Sequence, residues 1–212
     1  MIWRTLPMWS GSTVFVIGGG PSVAGADGCL PYPLRLRLFN SNVIGINNAG
    51  FLDPGVDILF FGDRKWYEWN KDRVNLHNAL IVTSHGSFEH FKRIKYLRRK
   101  TGSGFNSRPP SLMWNRSSGG SGIALAVALG AKRVVLIGYD MKLYKTKNFH
   151  KEHREKNPMT NPFPRFIKPF YKMKEEADQL GIEIVNTTPN SAIVGFPFVP
   201  LTEAIEKWTS QI

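Results

Sequence analysis

Short, nearly uninterrupted apolar runs recur along the chain at residues 13–17, 43–46, 58–61, 79–83, 133–137 and 183–185. They lack the strict alternation of a strand with one wet face, which predicts strands buried on both sides. Residues 121–129 and 166–180 instead place apolar side chains every three or four positions, the period of an amphipathic helix. Strands alternating with helices predict a single Rossmann-like α/β domain over residues 1–212. Its sheet is doubly wound and mostly parallel, with helices on both faces. Right-handed crossovers then align the strand C-termini along one edge, where ligands bind in such folds. No internal repeat is visible, which excludes solenoids and propellers.

Two segments depart from this rhythm. Residues 101–120, TGSGFNSRPPSLMWNRSSGG, carry the Gly, Ser and Pro of a loop. Residues 142–168 form a long basic connection containing Pro158, Pro162 and Pro164, and are predicted to be a lid over the sheet edge.

The strand ends carry the chemistry. The first strand runs into Gly18-Gly19-Gly20-Pro21-Ser22. Residues without a Cβ let backbone amides approach an anion closely, and proline suits the first turn of a helix, so this segment predicts a phosphate cradle at a helix N-terminus. It is neither of the two common nucleotide fingerprints. Val23 stands where a dinucleotide motif needs a third small residue, Asn47-Asn48 where an NAD site needs an acid, and no Gly-Lys-Ser/Thr follows. Asn47 after the second strand, Asp63 after the third and Asp140 after the fifth add polar groups on the same edge. Ser117-Ser118-Gly119, ahead of a helix, offer hydroxyls and amides to a second anionic or ribosyl group. His150 and His153 fall in the predicted lid, where a histidine would serve as general base.

Composition narrows the class. With 42% hydrophobic and 21% charged residues the chain is neither disordered nor fibrous, and no stretch is apolar for long enough to span a bilayer. Cys29 is the sole cysteine, so neither an intrachain disulfide nor a CxxC metal site can form, and a reducing cytoplasm is the simplest location. The opening residues lack the order of a signal peptide. The net charge of +12 is concentrated in part in Lys92, Arg93, Lys95, Arg98, Arg99, Lys100, Arg108 and Arg116, with no acid among them. Such a field attracts phosphate-rich partners. The interleaved Phe91, Tyr96, Phe105 and Trp114 would then stack on bases.

In order, GGGPS after the first strand, IGINN after the second and SSGGSGIALAVALGAKRVVLIGYD resemble the bacterial sialyltransferases of glycosyltransferase family 42. The later NTTPNS is similar to that family's Pro-Asn-Ser segment. A broader bacterial and phage-encoded group, including motility-accessory glycosyltransferases and hydroxymethylpterin diphosphokinase-like enzymes, shares the plan. The resemblance implies a transferase binding a CMP-sugar type of nucleotide donor with no obligatory metal or other cofactor, and an acceptor glycan or modified nucleic acid. Carried over by position, Gly18, Gly19, Gly20, Pro21 and Ser22 would hold the donor phosphate, and Asn47 would contact the nucleotide. Ser117, Ser118 and Gly119 would hold the donor or its cytidine, Asn190 and Ser191 would line the cleft, and His150 or His153 would be the base. Two alternatives remain at this point: magnesium-dependent diphosphokinase-like transfer from ATP, with Asp63 and Asp140 on the metal, and a nucleic-acid-binding or DNA-modifying phage protein in the host cytoplasm.

Overall fold

The computed structural model describes residues 2–3, 8–23, 38, 41–52, 55–106, 109–143 and 161–209. Seven strands form one parallel sheet: β1 (Thr13–Ile17), β2 (Asn42–Ile46), β3 (Ile58–Phe61), β4 (Leu80–Thr83), β5 (Ile94–Tyr96), β8 (Arg133–Ile137) and β9 (Glu183–Asn186). A separate parallel pair joins β6 (Arg98–Lys100) to β7 (Ser111–Met113). Among the described residues, the α-helices that cover the sheet include α1 (Arg64–Leu76), α2 (Ser118–Ala128), α3 (Phe163–Leu180) and α4 (Leu201–Trp208).

Alternate residues of each apolar strand enter opposite cores, which is why the runs show no polar face. Val14 and Val16 pack with Ile123 and Leu125 of α2 and Phe170 and Met173 of α3. Phe15 and Ile17 pack with Trp66 and Val74 of α1 and Ala204 and Ile205 of α4. The predicted doubly wound α/β sheet is therefore present, with helices on both faces.

Strand order is β5-β4-β3-β2-β1-β8-β9. The chain moves outward from β1 to β5 and then returns to the other side of β1, where Thr13 pairs with Arg133 and Ile17 with Ile137. The crevice beyond the C-termini of β1 and β8 is thus the topological switch point, the usual ligand position of an open α/β sheet.

Four expectations need correction. The segment expected to be a loop up to residue 120 contains β7, and α2 already starts at Ser118, because the Ser117 hydroxyl caps it by accepting from the Gly120 amide at 3.0 Å. Helix α3 starts at Phe163 with Pro164 in its first turn, so the last part of the predicted lid is helical. Pro21–Val23, where the first turn of a helix is expected, form a three-residue 3₁₀ turn, and residues 24–37 lie outside the described residues. Tyr96 and Phe105 are buried and Phe105 belongs to the core, so neither is available to stack on a base. Residues 144–160 of the lid, including His150 and His153, lie outside the described residues.

Candidate functional site

A cavity of about 620 Å³ occupies the switch point. Of the residues singled out in the sequence, Gly18, Gly19, Gly20, Asn47, Asp63, Ser117, Ser118, Gly119 and Asp140 all line it. Pro21, Ser22, Asn190 and Ser191 stand behind the lining. Ser191 donates its hydroxyl to the Tyr139 carbonyl at 2.6 Å and the Asn190 carbonyl accepts from Lys142, so the Pro-Asn-Ser turn buttresses the β8 loop.

The glycines have a packing reason that the sequence alone does not reveal. A Cβ on Gly20 would lie 1.9 Å from Asp140 Oδ2 and 2.6 Å from the Gly138 carbonyl, and one on Gly18 would lie 2.8 Å from that same carbonyl. The β1 and β8 loops touch backbone to backbone. Three of the turn's amides are engaged within the protein: Gly18 donates to the Ile137 carbonyl, Gly20 to the Gly138 carbonyl, and Ser22 offers both its amide and its hydroxyl, the latter at 2.7 Å, to buried Asp140. The anion met by this turn is the protein's own carboxylate.

The N-terminus of α2 offers a better anion position. Gly120 bonds the Ser117 hydroxyl and Ser121 the Ser117 carbonyl. The first N–H groups of a helix, here those of Ser118 and Gly119, have no intrahelical acceptor. The first turn of this eleven-residue helix carries no acid, and Arg116, Lys65 and Arg165 bring positive charge to the same cavity. Tyr139 ties the two loops together: its hydroxyl donates to the Gly119 carbonyl at 3.1 Å, and its ring would lie 3.2 Å from a Cβ on either Gly18 or Gly119. Burial pushes its phenol far above the ordinary tyrosine range, so it stays protonated.

Asn47 has the left-handed φ of 54° directly after β2, and its Oδ1 is buried without a protein donor. Its neighbour Asn48 accepts from the Trp66 indole at 2.6 Å. Trp66, Trp69, Trp114, Phe163 and Phe166 supply aromatic walls. The sequence reading missed α1 and with it Trp66 and Trp69. The available signal was an aspartate cap, Asp63, accepting from the Lys65 amide at 2.7 Å, followed by two tryptophans three residues apart, hence on one helix face. Asp63 and Asp140 are thereby committed to a cap and to Ser22, and no group of three metal-ligating side chains occurs among the described residues. His85, beyond β4, has Nδ1 accepting from the Ser87 amide at 3.3 Å, which leaves Nε2–H a donor, and burial, aided by the charge of Arg99, lowers its pKa.

Among the described residues no helix is long and apolar enough to cross a membrane. No family model matches the chain and no curated protein sequence does so. Solved structures do resemble it. The sialyltransferase CstII from Campylobacter jejuni in complex with cytidine-5'-monophosphate superposes with a TM-score of 0.60 at 16% identity, over 96% of this chain and 88% of that one. CstII in complex with CMP-3FNeuAc gives 0.53 at 16% identity, over 95% and 89%. The monofunctional alpha-2,3-sialyltransferase Cst-I from the same organism gives 0.58 at 15% identity, over 91% and 82%. At these identities the likeness is one of fold.

Proposed function

We propose that this chain is a glycosyltransferase of the sialyltransferase type that binds a CMP-activated sugar in the cavity between β1, β8 and α2. The observation that carries the reading is the α2 N-terminus, with Ser118 and Gly119 opening onto a basic, tryptophan-walled cavity at the switch point. The same fold holds CMP and CMP-3FNeuAc in the solved neighbours, which supports the choice of nucleotide. A helix N-terminus carries partial positive charge and suits a phosphate or carboxylate. Asn47 Oδ1 is the acceptor suited to a hydroxyl or amino group of the nucleoside. In the transfer an acceptor oxygen attacks the anomeric carbon of the sugar, the bond from that carbon to the phosphate oxygen breaks, and CMP departs with the electron pair. Arg116, Lys65 and Arg165 stabilise the charge that develops on the leaving phosphate. A histidine, His150 or His153, takes the proton of the acceptor hydroxyl.

The first test is the melting temperature in the presence of CMP, CDP, UDP, GDP or ATP, each with and without Mg²⁺, and of duplex DNA. Ligand at about 100 times its dissociation constant adds ~2.7 kcal/mol to stability, a rise of about 5–10 °C for a chain of this size. A rise with CMP independent of Mg²⁺ is expected. A rise only with Mg²⁺ and ATP, or only with DNA, would overturn the reading. The base is identified by His150→Ala and His153→Ala assayed separately. One of them is expected to lose turnover while binding CMP as before, and full turnover in both removes histidine from the role.

A further inference from the structure

Arg99 lies outside the cavity lining, yet it contacts two structures that form it. Its guanidinium covers the Trp114 ring with Cζ 3.7 Å from the centroid, and its Nη2 donates to the Gly62 carbonyl at 2.5 Å. Gly62 links β3 to Asp63, the cap of α1. It also seats the indole, since a Cβ there would lie 2.3 Å from Trp114 Cζ3 and 2.9 Å from Ser118 Oγ. Trp114 is fixed along its backbone as well, donating to the Lys100 carbonyl at 2.9 Å and accepting from the Ser121 hydroxyl at 2.6 Å. One cation therefore holds the indole wall and the Asp63 corner in register beside the first residue of α2.

The arrangement carries a cost that simple packing would not. Arg99 Nε is buried without an acceptor, and burial lowers the pKa of the guanidinium, partly offset by the charge of Asp63. An apolar side chain would fill the space without that penalty. What arginine alone supplies is a plane that stacks on an indole while its edge donates a hydrogen bond.

We propose that Arg99 is a positioning residue that clamps Trp114 and the Gly62–Asp63 turn in the geometry the donor needs; this rests on the donor reading above. The test uses full-length protein carrying 5-fluorotryptophan, whose six tryptophans give six fluorine resonances, with Trp114→Phe assigning one of them. In Arg99→Met the Trp114 resonance is expected to move and broaden while the other folded-state lines persist, and the CMP dissociation constant to rise about tenfold. Arg99→Lys keeps the charge without the planar fork and is expected to behave like Arg99→Met; it also carries the test if the methionine variant does not fold. A Trp114 line at its wild-type position and width in the folded variants overturns the clamp. A displaced line with unchanged CMP affinity overturns its role in positioning. Failure of the wild-type protein to bind CMP removes the donor reading, and the fluorine spectrum then reports on the clamp alone.

Discussion

Gly20→Ala is expected to lower stability by about 3 kcal/mol, or roughly 10 °C in melting temperature, and, on the CMP-donor reading proposed above, to abolish CMP binding. The new methyl carbon would sit 1.9 Å from Asp140 Oδ2 and 2.6 Å from the Gly138 carbonyl. One neighbour is backbone and the other a buried carboxylate held by Ser22, so neither can yield cheaply. The β1 loop must then lift away from the β8 loop and deform the cavity between them. Gly86→Ala is the control: its Cβ would meet only Tyr96 Oη, at 3.9 Å, and a change within about 0.5 kcal/mol is expected. Equal melting temperatures for Gly20→Ala and wild type would mean that the two loops are not packed as described.

Asn115→Ala is expected to destabilise by a similar amount, about 2–4 kcal/mol. Asn115 is fully buried between β7 and α2, with its Oδ1 accepting from the Gly104 amide at 2.7 Å and its Nδ2 donating to the Gly104 carbonyl at 3.1 Å. Its φ is 51°, a left-handed conformation that asparagine tolerates better than alanine. Loss of both bonds leaves the buried Gly104 groups unsatisfied, at about 1–3 kcal/mol, and the backbone adds ~1 kcal/mol. Asn115→Gly removes the backbone part alone and is expected to recover about 1 kcal/mol of the loss in urea unfolding. Limited proteolysis within residues 101–106 should accelerate in both variants. If neither variant differs from wild type in urea, Asn115 does not organise this loop.

The contrast between these two positions shows what was legible in the chain. Strands whose residues are apolar on both faces announced themselves, and β1, β3 and β8 coincide with the expected runs. The glycine turn was also visible, but its cause was not: Gly18 and Gly20 answer to Gly138 and Asp140, more than a hundred residues away. Strand β5 escaped notice because it has only three residues with Lys95 at its centre, too short and too polar to leave an apolar run, and its outer edge is met by the Ile2 bridge to Tyr96. Helix α1, RKWYEWNKDRVNL, buries only Trp66 and Val74, too thin a stripe to register as periodic. The tie from Asn115 back to Gly104 rests on side-chain bonds across eleven residues of chain, which no helix or strand periodicity encodes.

The strand order also bears on how the protein comes into being. During synthesis β1 can pair with β2, the next strand to be made, but its second neighbour, β8, follows more than a hundred residues later. Both walls of the switch-point crevice therefore coexist only once β8 has been made, and until then β1 waits with one edge unpaired. Non-local parallel pairing of this kind is slow and exposes the nascent chain to aggregation. The crevice consequently cannot form before β8 is in place, so a ligand bound there cannot assist the pairing of the strands made earlier.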